Sequence, residues 1–161
     1  MTLHSLKLFL GTLFGAGYIS NAPGTLGSLL FLPFIYATEF LFGLPGLIVL
    51  TLISSILSLW TAPAAMAELG DDPGQFIMDE CAGQTLVFAI LALFNIPMNL
   101  IYLFLGFLFF RLFDITKPLG IKRVETFRGK FGILWDDLVA GIYAALGLTA
   151  LITILSVLLL D

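Results

Sequence analysis

The sequence predicts an all-α, polytopic helical membrane protein, with about five membrane-embedded helices plus a short N-terminal helix, forming one domain over residues 1–161. Three observations lead there. Hydrophobic residues make up 60% of the chain and the mean hydropathy is +1.09. That leaves too few polar side chains to cover a soluble domain of this size. Five apolar stretches, at residues 26–42, 46–67, 79–94, 99–115 and 133–160, approach or exceed the roughly 20 residues that cross a hydrocarbon core. Finally, the charged clusters fall at or near the ends of these stretches, on one side of a bilayer through which the chain is threaded.

The elements follow in order. Residues 3–14 are apolar around Lys7 and too short to span, which predicts an interfacial or re-entrant helix before the glycine-rich turn at Gly15-Ala-Gly17. Residues 26–42 and 46–67 are separated by Gly43-Leu-Pro45, a turn signal. Gly70 to Gly74, with two Asp and a Pro, ends the second span. The third stretch opens on Asp79-Glu80 and is short enough to require tilting or partial insertion. Asn95-Ile-Pro97 separates it from the fourth. The fifth is long, and its Asp-bearing start extends past the bilayer.

Orientation comes from the basic residues. All seven Lys and Arg fall on the side of the N-terminus and of the loops at 67–79 and 116–132, Arg111 being taken at its helix end. The opposite loops carry none, so the N-terminus is predicted inside and the C-terminus outside. Lys117, Lys122, Arg123, Arg128 and Lys130 against one Glu125 suit an anionic membrane surface. The net charge of −4 argues against a nucleic-acid partner. One cysteine, Cys81, and one histidine, His4, exclude an internal disulfide, a zinc cluster and a paired-histidine phosphatase. No small-residue cleavage pattern follows the first residues, which predicts no removed signal peptide.

The inward-side charges carry the chemistry. Asp79 and Glu80 open a helix, where capping and the helix dipole account for part of their presence. Asp136 and Asp137 point about 100° apart near the start of the fifth span. Asp114 sits at a helix C-terminus, against the dipole, and needs Arg111 at i−3 or Lys117 at i+3. Carboxylate oxygens suit Mg²⁺, which completes its shell with water and phosphate, so Asp79, Glu80, Asp136 and Asp137 are the candidate metal ligands. Asp114, Asp136 and Asp137 are the candidate catalytic carboxylates. Arg111 and Lys117 are suited to phosphate oxygens. The helix start around Pro23, with Thr25 and Ser28, is a candidate anion site.

Residues 14–28 (FGAGYISNAPGTLGS), 79–83 (DECAG), 110–118 (FRLFDITKP) and 132–141 (GILWDDLVAG) resemble, in order and spacing, the phosphatidylglycerophosphatase A family. The resemblance implies a Mg²⁺-dependent lipid phosphatase of the bacterial inner membrane, multi-pass, with its active site facing the cytoplasm. Its phospholipid substrate would be phosphatidylglycerophosphate, and its product phosphatidylglycerol. Two other classes compete. A small ion- or proton-coupled transporter would place carboxylates near the bilayer midplane. A non-catalytic subunit binding anionic lipid would rest on the basic loop and leave the carboxylates without a role.

Overall fold

The computed structural model describes residues 1–19, 21–71, 73–117 and 129–160. Asp72 and residues 118–128, which include most of the basic loop, lie outside the described residues. Five helices are described: α1 (Leu3–Gly11), α2 (Pro23–Leu69), α3 (Met78–Leu93), α4 (Leu100–Thr116) and α5 (Lys130–Leu160), with a 3₁₀ turn at Ala16–Tyr18. Two of them, α2 and α5, are long and apolar enough to cross a membrane. Among the described residues there is no strand.

The spans expected at 26–42 and 46–67 belong to a single helical run of 47 residues, interrupted only by Gly43 at φ 58°, ψ −152°. The expected three-residue turn is therefore one residue. A straight helix would separate Gly27 from Thr61 by roughly 50 Å. Instead both reach the same short segment. A Cβ on Gly27 would lie 2.7 Å from Ile77 Cδ1, while Gly11 packs between Phe76 and Thr61. So α2 is a hairpin of two arms folded at Gly43. That backbone region is open essentially to glycine alone, and any other residue there costs about 1–3 kcal/mol. Gly43→Ala is accordingly expected to destabilise the protein by about that amount in detergent thermal unfolding. Its effect on catalysis should be small, because the charged residues gather at the other end.

The short N-terminal helix packs against the end of α2. His4 pairs with Glu68 at 2.6 Å, Lys7 stands 5.0 Å from the Trp60 ring centroid, and Gly11 meets Thr61. Seven residues along α1 thus match seven residues backward along α2. Helix α1 runs antiparallel beside the last turns of α2, its N-terminus capped by Thr2. Thr12 then turns the chain back by accepting from the Gly15 N–H and donating to the Leu8 carbonyl.

Helix α3 is central, with eleven of its sixteen residues buried. Asn95, at φ 56°, stops it, and the Ile96 N–H donates to the Leu91 carbonyl in a Schellman-type ending. Asn99 caps α4 by accepting from the Tyr102 N–H at 2.8 Å. The ring of Phe88 fills the space left by Gly106 of α4. Ala140, Ala144 and Ala145 are fully buried, and Gly141 packs onto Gly83. The small-residue face of α5 is thus used inside the fold, against α3. Cys81 is buried there as a small packing residue.

Candidate active site

The α3–α5 contact sets the site. Gly83 and Gly141 bring the two backbones together, so that a Cβ on Gly83 would stand 2.5 Å from the Asp137 carbonyl oxygen. This contact places Asp79, one turn before Gly83, and Asp137, one turn before Gly141, at the same level. Their carboxyl groups face one another, and each residue is only 5% exposed. Among the described residues, neither Oδ1 atom has a hydrogen-bond partner, and both are buried. Two buried carboxylates at close range repel each other and are costly to desolvate.

Around this pair lies a cavity of about 840 Å³ lined by Asp79, Glu80, Asp114, Lys117, Asp136 and Asp137. Six of the residues expected at a reaction site therefore share one space. Helix α4 contributes the cations. Arg111 Nη1 lies 2.7 Å from Asp114 Oδ2 and 3.8 Å from Glu80 Oε1, so its guanidinium joins α4 to α3. Asp114 thus has the compensating cation that its place against the dipole requires. Lys117 ends α4 in the left-handed region, at φ 44°, and its ammonium pairs with Asp136 of α5.

The start of α2 meets the protein's own charges. Gly24 packs directly on the Glu80 carboxylate, and a Cβ there would lie 3.2 Å from Arg111 Nη1. The positive end of the α2 dipole therefore faces Glu80. Thr25 is half-buried and Ser28 fully buried, and neither lines the cavity.

Other lining residues were missed. Asp71, Pro73, Gly74 and Phe76, in the strap between α2 and α3, line the cavity, as do Gly129, Gly132 and Ile133. The signal for Asp71 was available: an acidic residue on the inward side, eight positions before Asp79. Gln84 was also overlooked. It sits one turn past Glu80, fully buried, with neither end of its amide hydrogen-bonded among the described residues.

Among the described residues, no three His, Cys, Asp or Glu side chains already stand in metal-binding geometry. A pair is enough for Mg²⁺, which keeps several waters and is held by one or two carboxylates plus substrate phosphate. Asp79 and Asp137, buried, facing and with unpartnered oxygens, fit that donor set.

The chain matches the family model for phosphatidylglycerophosphatase A over residues 9–152. It is 34% identical over 146 residues to a protein of Bacteroides thetaiotaomicron provisionally named as a phosphatidylinositol-3-phosphatase, covering 86% of this chain and 89% of the relative. Proteins of Haemophilus influenzae and Escherichia coli named phosphatidylglycerophosphatase A are 35% and 32% identical, with 83% and 82% of this chain and 80% and 75% of theirs covered. No solved structure matches.

Proposed function

The chain belongs to the phosphatidylglycerophosphatase A family and is a phosphoric monoester hydrolase, and on that premise we propose that it hydrolyses phosphatidylglycerophosphate to phosphatidylglycerol and phosphate. The observation that carries the mechanism is the Asp79–Asp137 pair, buried in a cavity that Lys117 also lines, with Arg111 just behind it on the lining residues Glu80 and Asp114. Asp79 and Asp137 would hold Mg²⁺, which when bound supplies positive charge and polarises a phosphoryl oxygen. Arg111 and Lys117 orient the phosphate, the first as a planar fork and the second as a point charge. Asp114 and Glu80 hold the guanidinium in place, and Asp136 holds the ammonium. A carboxylate at the cavity, Asp136 or Asp114, takes the proton from an attacking water as its oxygen bonds to phosphorus. The ester P–O bond breaks, and the polyol oxygen leaves with the proton that this carboxylate has just received, which restores the carboxylate. Direct attack by Asp136 or Asp114, through an aspartyl-phosphate, uses the same groups.

For topology, the two arms of α2 with α3, α4 and α5 make five membrane-embedded segments. The cavity then opens on the cytoplasmic side of a bacterial inner membrane, the N-terminus is inside and the C-terminus outside. The basic residues near 116–132 support this orientation, as does the lipid-like exterior of exposed Leu, Ile and Phe. A transporter would need its carboxylates in mid-bilayer, and here they sit at helix ends.

A second lipid class has support of its own. The Bacteroides relative carries a phosphoinositide name, and the cavity exceeds what a phosphate group alone needs. The deciding assay is phosphate release by detergent-purified protein from phosphatidylglycerophosphate, phosphatidylinositol-3-phosphate and phosphatidic acid, in Mg²⁺ and in chelator. Mg²⁺-dependent release, fastest from the first lipid, is expected. Preference for the second would move the substrate assignment. Undiminished release in chelator would remove the metal.

A further inference from the structure

The phosphate chemistry uses α3, α4 and α5, and leaves the fourth wall of the cavity without a task. That wall is the strap between α2 and α3. Asp71, Pro73, Gly74 and Phe76 of the strap face the same 840 Å³ as the carboxylates, a volume typical of a pocket that holds a whole small molecule. Residues 73–77 of the strap are held by backbone contacts. The Phe76 N–H donates to the Pro73 carbonyl at 2.8 Å, and the Ile77 N–H donates to the Gly11 carbonyl at 3.0 Å. Gly17 lies against the Gln75 backbone so closely that a Cβ would come within 3.2 Å of its Cα. The reversal after α1 thus clamps the strap at its far end.

Resting on the phosphomonoesterase reading above, we infer that this strap is the wall against which the polyol part of the headgroup lies, with Gly74 setting the size accepted and Asp71 accepting hydrogen bonds from its hydroxyls. Once the phosphate is held at Arg111, Lys117 and the acidic pair, the rest of the headgroup must occupy the remaining space. The strap offers the two groups that a polyol needs there, an exposed carboxylate and an unoccupied Cα. Among the described residues, a Cβ at Gly74 would meet nothing within 4 Å, and its φ lies outside the left-handed region. A large side chain at Gly74 therefore projects into open space without straining the fold, and narrows the cavity. Gly129, which also lines the cavity, has φ +86° and lacks that freedom.

The test compares inorganic phosphate, glycerol 3-phosphate and inositol monophosphate as ligands of the parent, Gly74→Trp and Asp71→Asn proteins. Each is measured by isothermal calorimetry in Mg²⁺ and as an inhibitor of lipid hydrolysis. Gly74→Trp should weaken inositol monophosphate by about tenfold or more, and glycerol 3-phosphate less, with inorganic phosphate unchanged. Asp71→Asn should weaken both polyol phosphates relative to inorganic phosphate. Equal weakening of all three ligands, or of none, in both variants would overturn the inference. The calorimetry needs no turnover, so a parent protein that binds these ligands but hydrolyses no lipid would strike the substrate assignment and leave the wall standing.

Discussion

Asp137→Asn is expected to lower phosphate release by about 10³-fold while raising the temperature at which the metal-free protein unfolds. Both effects come from one arrangement. Asp137 and Asp79 face each other at 5% exposure, each with an Oδ1 that has no hydrogen-bond partner among the described residues. Two such carboxylates repel in the absence of a cation. The amide removes one charge and supplies an N–H that donates to Asp79, so the folded state gains roughly 1 kcal/mol or more, as other active-site neutralisations do. It also removes an anionic ligand, so Mg²⁺ binding falls with turnover. Asp79→Asn should behave alike. The double variant should lose little more activity than either single one, because residues acting as a unit are not additive. The checks are phosphate release, metal binding by calorimetry, and thermal unfolding in chelator. Parental turnover combined with a lower unfolding temperature would refute the metal-site assignment.

Much of this arrangement is legible in the sequence, for a physical reason. Burying charge near hydrocarbon is costly, so Asp79, Glu80, Asp114, Asp136 and Asp137 stand out against their apolar flanks. Apolar run length likewise yields the helices, and Asn99 and Asn95 mark two of their ends. What one dimension hides is pairing between segments. Lys117 reads as an i+3 neighbour of Asp114, yet it ends α4 in the left-handed conformation and reaches Asp136. Pro23 and Gly24 read as the start of an anion-binding helix, and the structure brings the protein's own Glu80 and Arg111 to that start. The antiparallel match of His4 with Glu68 and Gly11 with Thr61 depends on a reversal after Thr12 that no periodicity announces. Asp71 sits in a polar loop where acidic residues are common, and only the folded strap turns it toward the cavity.

The glycines of the α3–α5 crossing carry the second large effect. Gly83→Ala and Gly141→Ala are each expected to cut kcat by about 10²-fold, because misplacement by about 1 Å near reacting groups costs that much. The collision is with backbone, which cannot rotate away. A Cβ on Gly83 would lie 2.5 Å from the Asp137 carbonyl oxygen and 2.8 Å from its carbon, and one on Gly141 would lie 2.5 Å from the Gly83 carbonyl oxygen. Relief comes only from moving α5 away from α3, which separates Asp79 from Asp137. Overpacking of this kind costs about 1–3 kcal/mol, so both variants also unfold earlier. Their signature differs from that of Asp137→Asn: stability and activity fall together, and Mg²⁺ binds more weakly with both carboxylates still present. Gly106→Ala provides the control. It also overpacks the bundle, but against the Phe88 ring on the α3–α4 side. It should therefore cost comparable stability and leave the Mg²⁺ affinity of the folded protein close to that of the parent. Equal weakening of metal binding in all three variants would mean that the crossing has no special hold on the acidic pair.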